Sequence, residues 1–225
     1  MSGKRTREIV KEKPGTNVPL NLAVEFIKNH ANAKFDETIE IHFHLGVDPK
    51  QTEQNVRGTV SLPNGSPSSV RVAVFTDSSA LQEKAKEAGA DIVGGKELIE
   101  EVATKKTLNA DVTVTTPDMM KELAKVAKVL GPRGLMPNPK SGTIGPDPAS
   151  IVKSLKSGKI NFKMDDSANV HIPVAKASWE TEKIYENAKA VVDVMRQSRP
   201  VAAKGEFILS ATLSSSMGTG VRVQI

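Results

Sequence analysis

The sequence predicts two domains of different class. One is an α+β split domain made from both ends of the chain, with an antiparallel-rich sheet and helices. The other is an inserted α/β Rossmann-like domain with a parallel sheet. Three observations predict this. Residues 38–45 and 207–214 alternate apolar and polar side chains with period two, the mark of strands with one buried face. Residues 70–130 alternate short, nearly continuous apolar runs with helical periods, the mark of a parallel sheet covered by helices. PNGSPSS at 63–69 and the Gly158 region lie where the texture changes. The split domain is therefore assigned to 1–66 and 159–225, and the inserted domain to 67–158. The two crossings would form a double hinge. A single continuous domain is the alternative.

The elements follow in order. Leu20, Ala23, Val24, Ile27 and Ala31 recur at helical spacing. TIEIHFHL, residues 38–45, puts Ile39, Ile41, Phe43 and Leu45 on one face and Thr38, Glu40, His42 and His44 on the other. Val56, Gly58, Val60 and Leu62 mark a second strand. In the middle segment, strands are expected within 70–77, 91–95 and 110–118, and helices over 79–90, 96–104, 119–130 and 149–159. Beyond it, Ile160, Phe162 and Met164, the turn DDSAN and then Val170, Ile172 and Val174 read as a hairpin. Residues 179–198 read as an amphipathic helix with Ser178 as N-cap. The last strand is expected to bury Phe207, Leu209, Ala211 and Leu213 and to end in SSSMGTG.

Composition narrows the function. The 225-residue chain is long enough to bury a sizeable core. It contains no cysteine, which excludes disulfides and thiolate metal sites. It has no long apolar run and no apolar signal core, so no membrane partner and a cytoplasmic location are expected. Net charge is +5 with a pI of about 9.3, a mild indication of a polyanionic partner. The charge is spread evenly, apart from residues 1–13 with five basic and two acidic groups. Shape and surface arrangement must then supply much of any nucleic-acid recognition.

GPRGLMPNPKSGT, residues 131–143, superficially resembles a phosphate-binding loop. The chemistry is wrong. A helix rather than a strand precedes it, and Pro137 and Pro139 remove backbone donors that a phosphate cradle needs. A stiff loop presenting Arg133 and Lys140 to an anionic surface, or simply a rigid surface loop, is the expected reading. His42, His44 and Glu40 share a strand face, but a metal centre would need more ligands. A solvated polar face is expected there, with no metal and no cofactor. Asp165-Asp166 reads as a turn.

The run KVLGPRGLMPNPKSGT closely resembles the signature of the large-subunit ribosomal protein L-one family, the stalk protein. AKFDETIEIHFHLGVDPKQTEQNVRGTVSLP, AGADIVGG and SSSMGTGVRV also fit, and the resemblance covers almost the whole chain in a bacterial form. It implies a two-domain fold with one domain inserted in the other, and no enzymatic activity. It implies binding of large-subunit rRNA at the mobile stalk near the exit-site tRNA, aid to release of deacylated tRNA, and repression through the protein's own mRNA leader. A monomer is expected when free. The RNA contacts it implies fall on Lys34, Phe35, Glu37 and Thr38, and on Ser210, Ser216, Met217 and Gly218. Their chemistry suits RNA. Hydroxyls can pair with 2′-OH groups, Lys34 with phosphate, and Glu37 with base amino or sugar hydroxyl groups. Phe35 and Met217 can lie on sugar or base faces, and Gly218 permits close approach. From residue statistics alone Phe35 would be a core side chain, and the Ser-rich end only a strand exit. The chain departs from the family at Ser214-Ser215-Ser216 and Gly218-Thr219, where threonines and Gly-Pro are frequent; this puts affinity in question. Competing readings are an α/β enzyme with a nucleotide or phosphosugar site, and an adaptor docking through 179–198. No glycine-rich strand-to-helix turn supports the first. The 179–198 helix reads better as cover for a sheet.

Overall fold

The computed structural model describes residues 9–225, apart from the side chains of Thr52 and Lys140. Most of the basic N-terminal segment therefore lies outside the described residues. The chain forms two compact units, Met1–Pro67 with Ile160–Ile225, and Ser68–Lys159.

The first unit is built on a four-stranded sheet of order β7-β1-β8-β9. Its strands are β1 (Thr38–Leu45), β7 (Asn169–Lys176), β8 (Ile208–Ser215) and β9 (Val221–Val223), all antiparallel to their neighbours. Two helices, α1 (Leu20–His30) and α7 (Thr181–Gln197), cover one face. The period-two pattern decides which face. Ile39, Ile41, Phe43, Val170, Ile172, Ala211 and Leu213 are buried in one cluster with Val24 and Ile27 of α1 and Ile184, Val191 and Met195 of α7. The opposite face is polar and open. A two-stranded sheet of β2 (Arg57–Ser61) and β6 (Lys159–Lys163) adds Val60 and Phe162 to the same core.

The second unit has a parallel sheet of order β4-β3-β5, from β3 (Val72–Phe75), β4 (Ile92–Gly94) and β5 (Val112–Thr115). Its helices are α2 (Ser79–Glu87), α3 (Lys96–Lys105), the short α4 (Met120–Leu123) and α5 (Ala127–Leu130), and α6 (Pro148–Lys156). Every residue of β3 is buried. Ala73 and Phe75 face Ile99, Leu123 and Leu130; Val72 and Val74 face Ala85, Val152 and Leu155. A strand covered on both faces needs apolar residues throughout, which explains the unbroken run.

Five local expectations differ from the structure. β6 and β7 do not form a hairpin: β6 pairs with β2, and β7 with β1. The Asp165 carboxylate accepts from the Ser167 and Asn169 amides, and Ala168 takes a positive φ of 60°. That turn redirects the chain between sheets. The 119–130 helix is broken into α4 and α5 by a 3-10 turn at Ala124–Val126. Met119, Leu123, Val126 and Leu130 all stay buried, so packing sets the path of the broken rod. Ser178 does not cap α7; Glu180 holds the N-cap position, and Ser178 donates from its amide and hydroxyl to Asp36. Leu209 is 42% exposed rather than buried, because a bulge after His44 pairs Leu45 with Ile208 and drops Leu209 from the register. Finally, β9 follows SSSMGTG as an extra strand whose three residues were too few to show a period.

Candidate nucleic-acid interface

The segment leading into β1 and the loop leaving β8 meet, and one carboxylate joins them. Glu37 is fully buried. Its Oε1 accepts from the Ala33 amide at 2.9 Å. Its Oε2 accepts from the Ser215 hydroxyl at 2.7 Å and the Met217 amide at 3.0 Å. Three donors within hydrogen-bond distance satisfy the oxygens of this buried carboxyl group. Thr38 adds a second tie: its amide donates to Ser216 Oγ at 3.1 Å, and its carbonyl accepts from the Ser216 amide at 3.0 Å. The Lys176 ammonium donates to Thr38 Oγ1 at 2.8 Å.

This framework displays apolar side chains in water. Phe35 is 55% exposed and Met217 is 62% exposed, on the two segments that Glu37 joins. Both side chains are therefore open to solvent rather than packed in the core. Phe35 is thus not a core residue. Lys34 and Ser216 are exposed beside them. Gly218 turns the loop back, its amide donating to the Ser215 carbonyl at 3.1 Å. A Cβ at Gly218 would lie 2.4 Å from Ser215 Oγ, so glycine is needed for the loop's own packing. Thr219 Oγ1 is buried and has no hydrogen-bond partner.

The expected contacts therefore divide. Lys34, Phe35, Thr38, Ser216, Met217 and Gly218 come together. Ser210 does not: it lies within β8, six residues before Ser216 in the loop that follows the strand, about 20 Å at the rise of a strand. Glu37 comes together with them but points inward, so its oxygens hold the protein and do not face a ligand. Lys176, Thr212 and Ser214, which were not among the expected contacts, border the same face. Lys176 sits opposite Thr38 in the β1–β7 register, and Thr212 and Ser214 stand opposite His42 and Glu40. The outward phase of β8 was visible in the sequence; the pairing partner was not.

In the second unit, GPRGLMPNPKSGT is a helix stop. The Leu135 amide donates to the Leu130 carbonyl and the Gly134 amide to the Gly131 carbonyl, both at 3.0 Å. Gly134 has φ of 69°. Leu135 is buried in one cluster with Leu130. This bonding with its left-handed glycine and apolar contact is a Schellman ending. The Thr113 hydroxyl also donates to the Leu135 carbonyl. Arg133 is exposed at the helix end, and Lys140 lies in the turn Pro139–Ser141 with its side chain outside the described residues.

No helix of the described residues is long and apolar enough to cross a membrane. Among known proteins, residues 27–219 match the model of the ribosomal protein L1p/L10e family. A Fervidobacterium nodosum protein named "Large ribosomal subunit protein uL1" is 46% identical over 92% of this chain and 87% of its own. Proteins of the same name from Solibacter usitatus and Mycoplasma capricolum are each 42% identical over 98% of this chain, and over 93% and 97% of their own. Agreement of that extent, across both units, means that the chain belongs to the ribosomal protein L1p/L10e family, whose members are structural parts of the ribosome and not enzymes.

Proposed function

We propose that this chain is a component of the large ribosomal subunit in the cytoplasm, and that it binds the rRNA of the mobile stalk through its first unit. The observation that carries this is the pair Phe35 and Met217, exposed on a rigid hydroxyl-bearing platform. RNA recognition favours such a surface: flat apolar groups for bases and sugars, hydroxyls for 2′-OH groups, and a nearby cation for phosphate. Lys34, Thr38, Ser216 and the close-approach loop at Gly218 supply the polar contacts. Ser210 extends them along the open sheet face. Glu37 is a positioning residue for both segments. Family membership, the names of the relatives and the net charge of +5 support the reading.

The finer reading is that the stalk-bound protein lies beside exit-site tRNA and aids its release, with Arg133 and Lys140 as a secondary basic loop. The same RNA face would serve as a repressor of the protein's own message. One binding face predicts competition. An mRNA-leader fragment should displace a stalk-base rRNA fragment from the purified protein, and Thr38→Val or Ser216→Ala should weaken both. Simultaneous binding of the two RNAs would refute the shared face. An rRNA fragment held no tighter than unrelated RNA of equal length would refute the anchor itself.

A further inference from the structure

The carboxyl ends of the parallel strands in the second unit border a cavity of about 350 Å³. It lies where the chain leaves neighbouring strands for opposite faces of the sheet. β3 leads into α2, whose Ala85 packs with Val72 and Val74; β5 leads to Met119 and Leu123, which pack with Ala73 and Phe75. Open parallel sheets place ligand sites at such a divergence. Two buried threonines line the cavity. Thr76, directly after β3, is 1% exposed, and Thr116, directly after β5, is 6% exposed. The other buried threonines of this unit donate their hydroxyls, Thr113 to the Leu135 carbonyl, Thr115 to that of Phe75 and Thr143 to that of Asn138. The Thr76 and Thr116 hydroxyls have no protein partner among the described residues. Buried polar groups are nearly always paired, so two unpaired hydroxyls on one cavity point to an occupant.

The charges around them select its chemistry. Helix α2 starts at the cavity with Ser78 as an N-cap that makes no side-chain bond, and its first turn has no acidic residue. That positive helix end favours an anion. Exposed Lys96 and Lys121, from the starts of α3 and α4, line the same cavity. Three carboxylates line it too. Glu122 is engaged by Lys125, and Asp77 lies 3.6 Å from Lys96. Asp77 and Asp118 work against a bare anion, but as acceptors they suit a ligand that carries hydroxyl groups beside its anionic one. We infer that this cavity binds a sugar phosphate, with the phosphate at the start of α2 between Lys96 and Lys121, and the sugar hydroxyls on Asp77, Asp118, Thr76 and Thr116. A free sugar phosphate and the ribose phosphate at an RNA end present this same chemistry. The inference is independent of the RNA reading of the first unit.

Full-length protein is titrated with ribose 5-phosphate, with inorganic phosphate and with a diribonucleotide, followed by amide NMR. Ribose 5-phosphate should saturate, with shifts centred on residues 76–80 and 116–121. It should bind at least about tenfold more tightly than inorganic phosphate, as added hydrogen bonds to charged groups require. Thr76→Val/Thr116→Val should weaken it by about tenfold while thermal stability holds or rises, because the hydroxyls it removes are unpaired in the free protein. Hydroxyls with a merely structural role would lower stability when removed. Lys96→Ala, on the exposed rim, should weaken binding without touching the core. Displacement of ribose 5-phosphate by the diribonucleotide at the same amides upholds the inference with an RNA end as the source; ribose 5-phosphate bound and the diribonucleotide excluded upholds it with a free sugar phosphate. No saturable shift, shifts centred elsewhere, inorganic phosphate bound as tightly, or full affinity in the threonine double variant overturns it.

Discussion

Glu37 and Ser215 are joined by a 2.7 Å hydrogen bond between a fully buried carboxylate and a buried hydroxyl, 178 residues apart in the chain. With the Met217 amide on the same carboxylate and the Thr38–Ser216 bonds, it couples the approach to β1 with the exit from β8. Together these bonds hold the segments that carry Phe35 and Met217.

Glu37→Ala removes the acceptor for Ala33, Ser215 and Met217 together. Buried donors left unpaired make a loss of about 3 kcal/mol the expectation, readable by urea denaturation. RNA affinity should fall as well, although the carboxylate faces the protein interior. Glu37→Gln keeps the shape but exchanges an acceptor for a donor and should lie between the two.

Gly218→Ala places a methyl 2.4 Å from Ser215 Oγ but 3.6 Å from Ser215 Cβ. The clash is therefore with the hydroxyl alone. Gly218→Ala should weaken RNA binding by displacing the loop. Adding Ser215→Ala should recover part of that loss in a double-mutant cycle, even though Ser215→Ala alone is harmful through Glu37. Strictly additive losses would show that the glycine serves close approach of RNA rather than the loop's own packing.

Gly134→Ala forces an alanine into φ of 69° at the helix stop. A destabilisation of about 1 kcal/mol is expected in thermal unfolding. No nucleotide affinity should appear or vanish with it, because the loop has the bonding of a helix ending.

Acid should act on the second unit through two carboxylates. The Lys156 ammonium holds Asp91, and the Arg71 guanidinium holds Asp111, below the usual aspartate range. A depressed folded value means that the stabilisation is present above the unfolded value near about 4 and is lost as pH falls through the folded one. Thermal scans should be flat on this account from neutral pH down to about pH 5 and fall below it. In Asp91→Asn/Asp111→Asn the acid slope should be shallower.

Much of this was legible in residues alone. TIEIHFHL became β1 with its burial phase intact, and the unbroken VAVF run identified the doubly covered strand. What escaped was whatever depends on a distant partner. No period shows that β6 seeks β2, because pairing across 97 intervening residues leaves no local trace. At the candidate interface the residue types were legible and their orientations were not. Phe35 has a core residue's composition and a surface residue's position, and Glu37 has the reverse. His42 drew notice for His44, its neighbour in sequence, whereas its spatial partner is His171.

The central claim is that Phe35 and Met217 carry specific RNA recognition on a frame set by Glu37. Its most direct test is the affinity of full-length protein and of Phe35→Ala/Met217→Ala for a stalk-base rRNA fragment across a salt titration. Base–aromatic contacts of about 1–3 kcal/mol predict a loss of roughly tenfold or more at every salt concentration. The slope of log affinity against log salt should stay unchanged, because apolar side chains release no counterions. Equal affinities for the two proteins, with binding that vanishes as salt rises, would contradict the account and leave only general attraction for a polyanion.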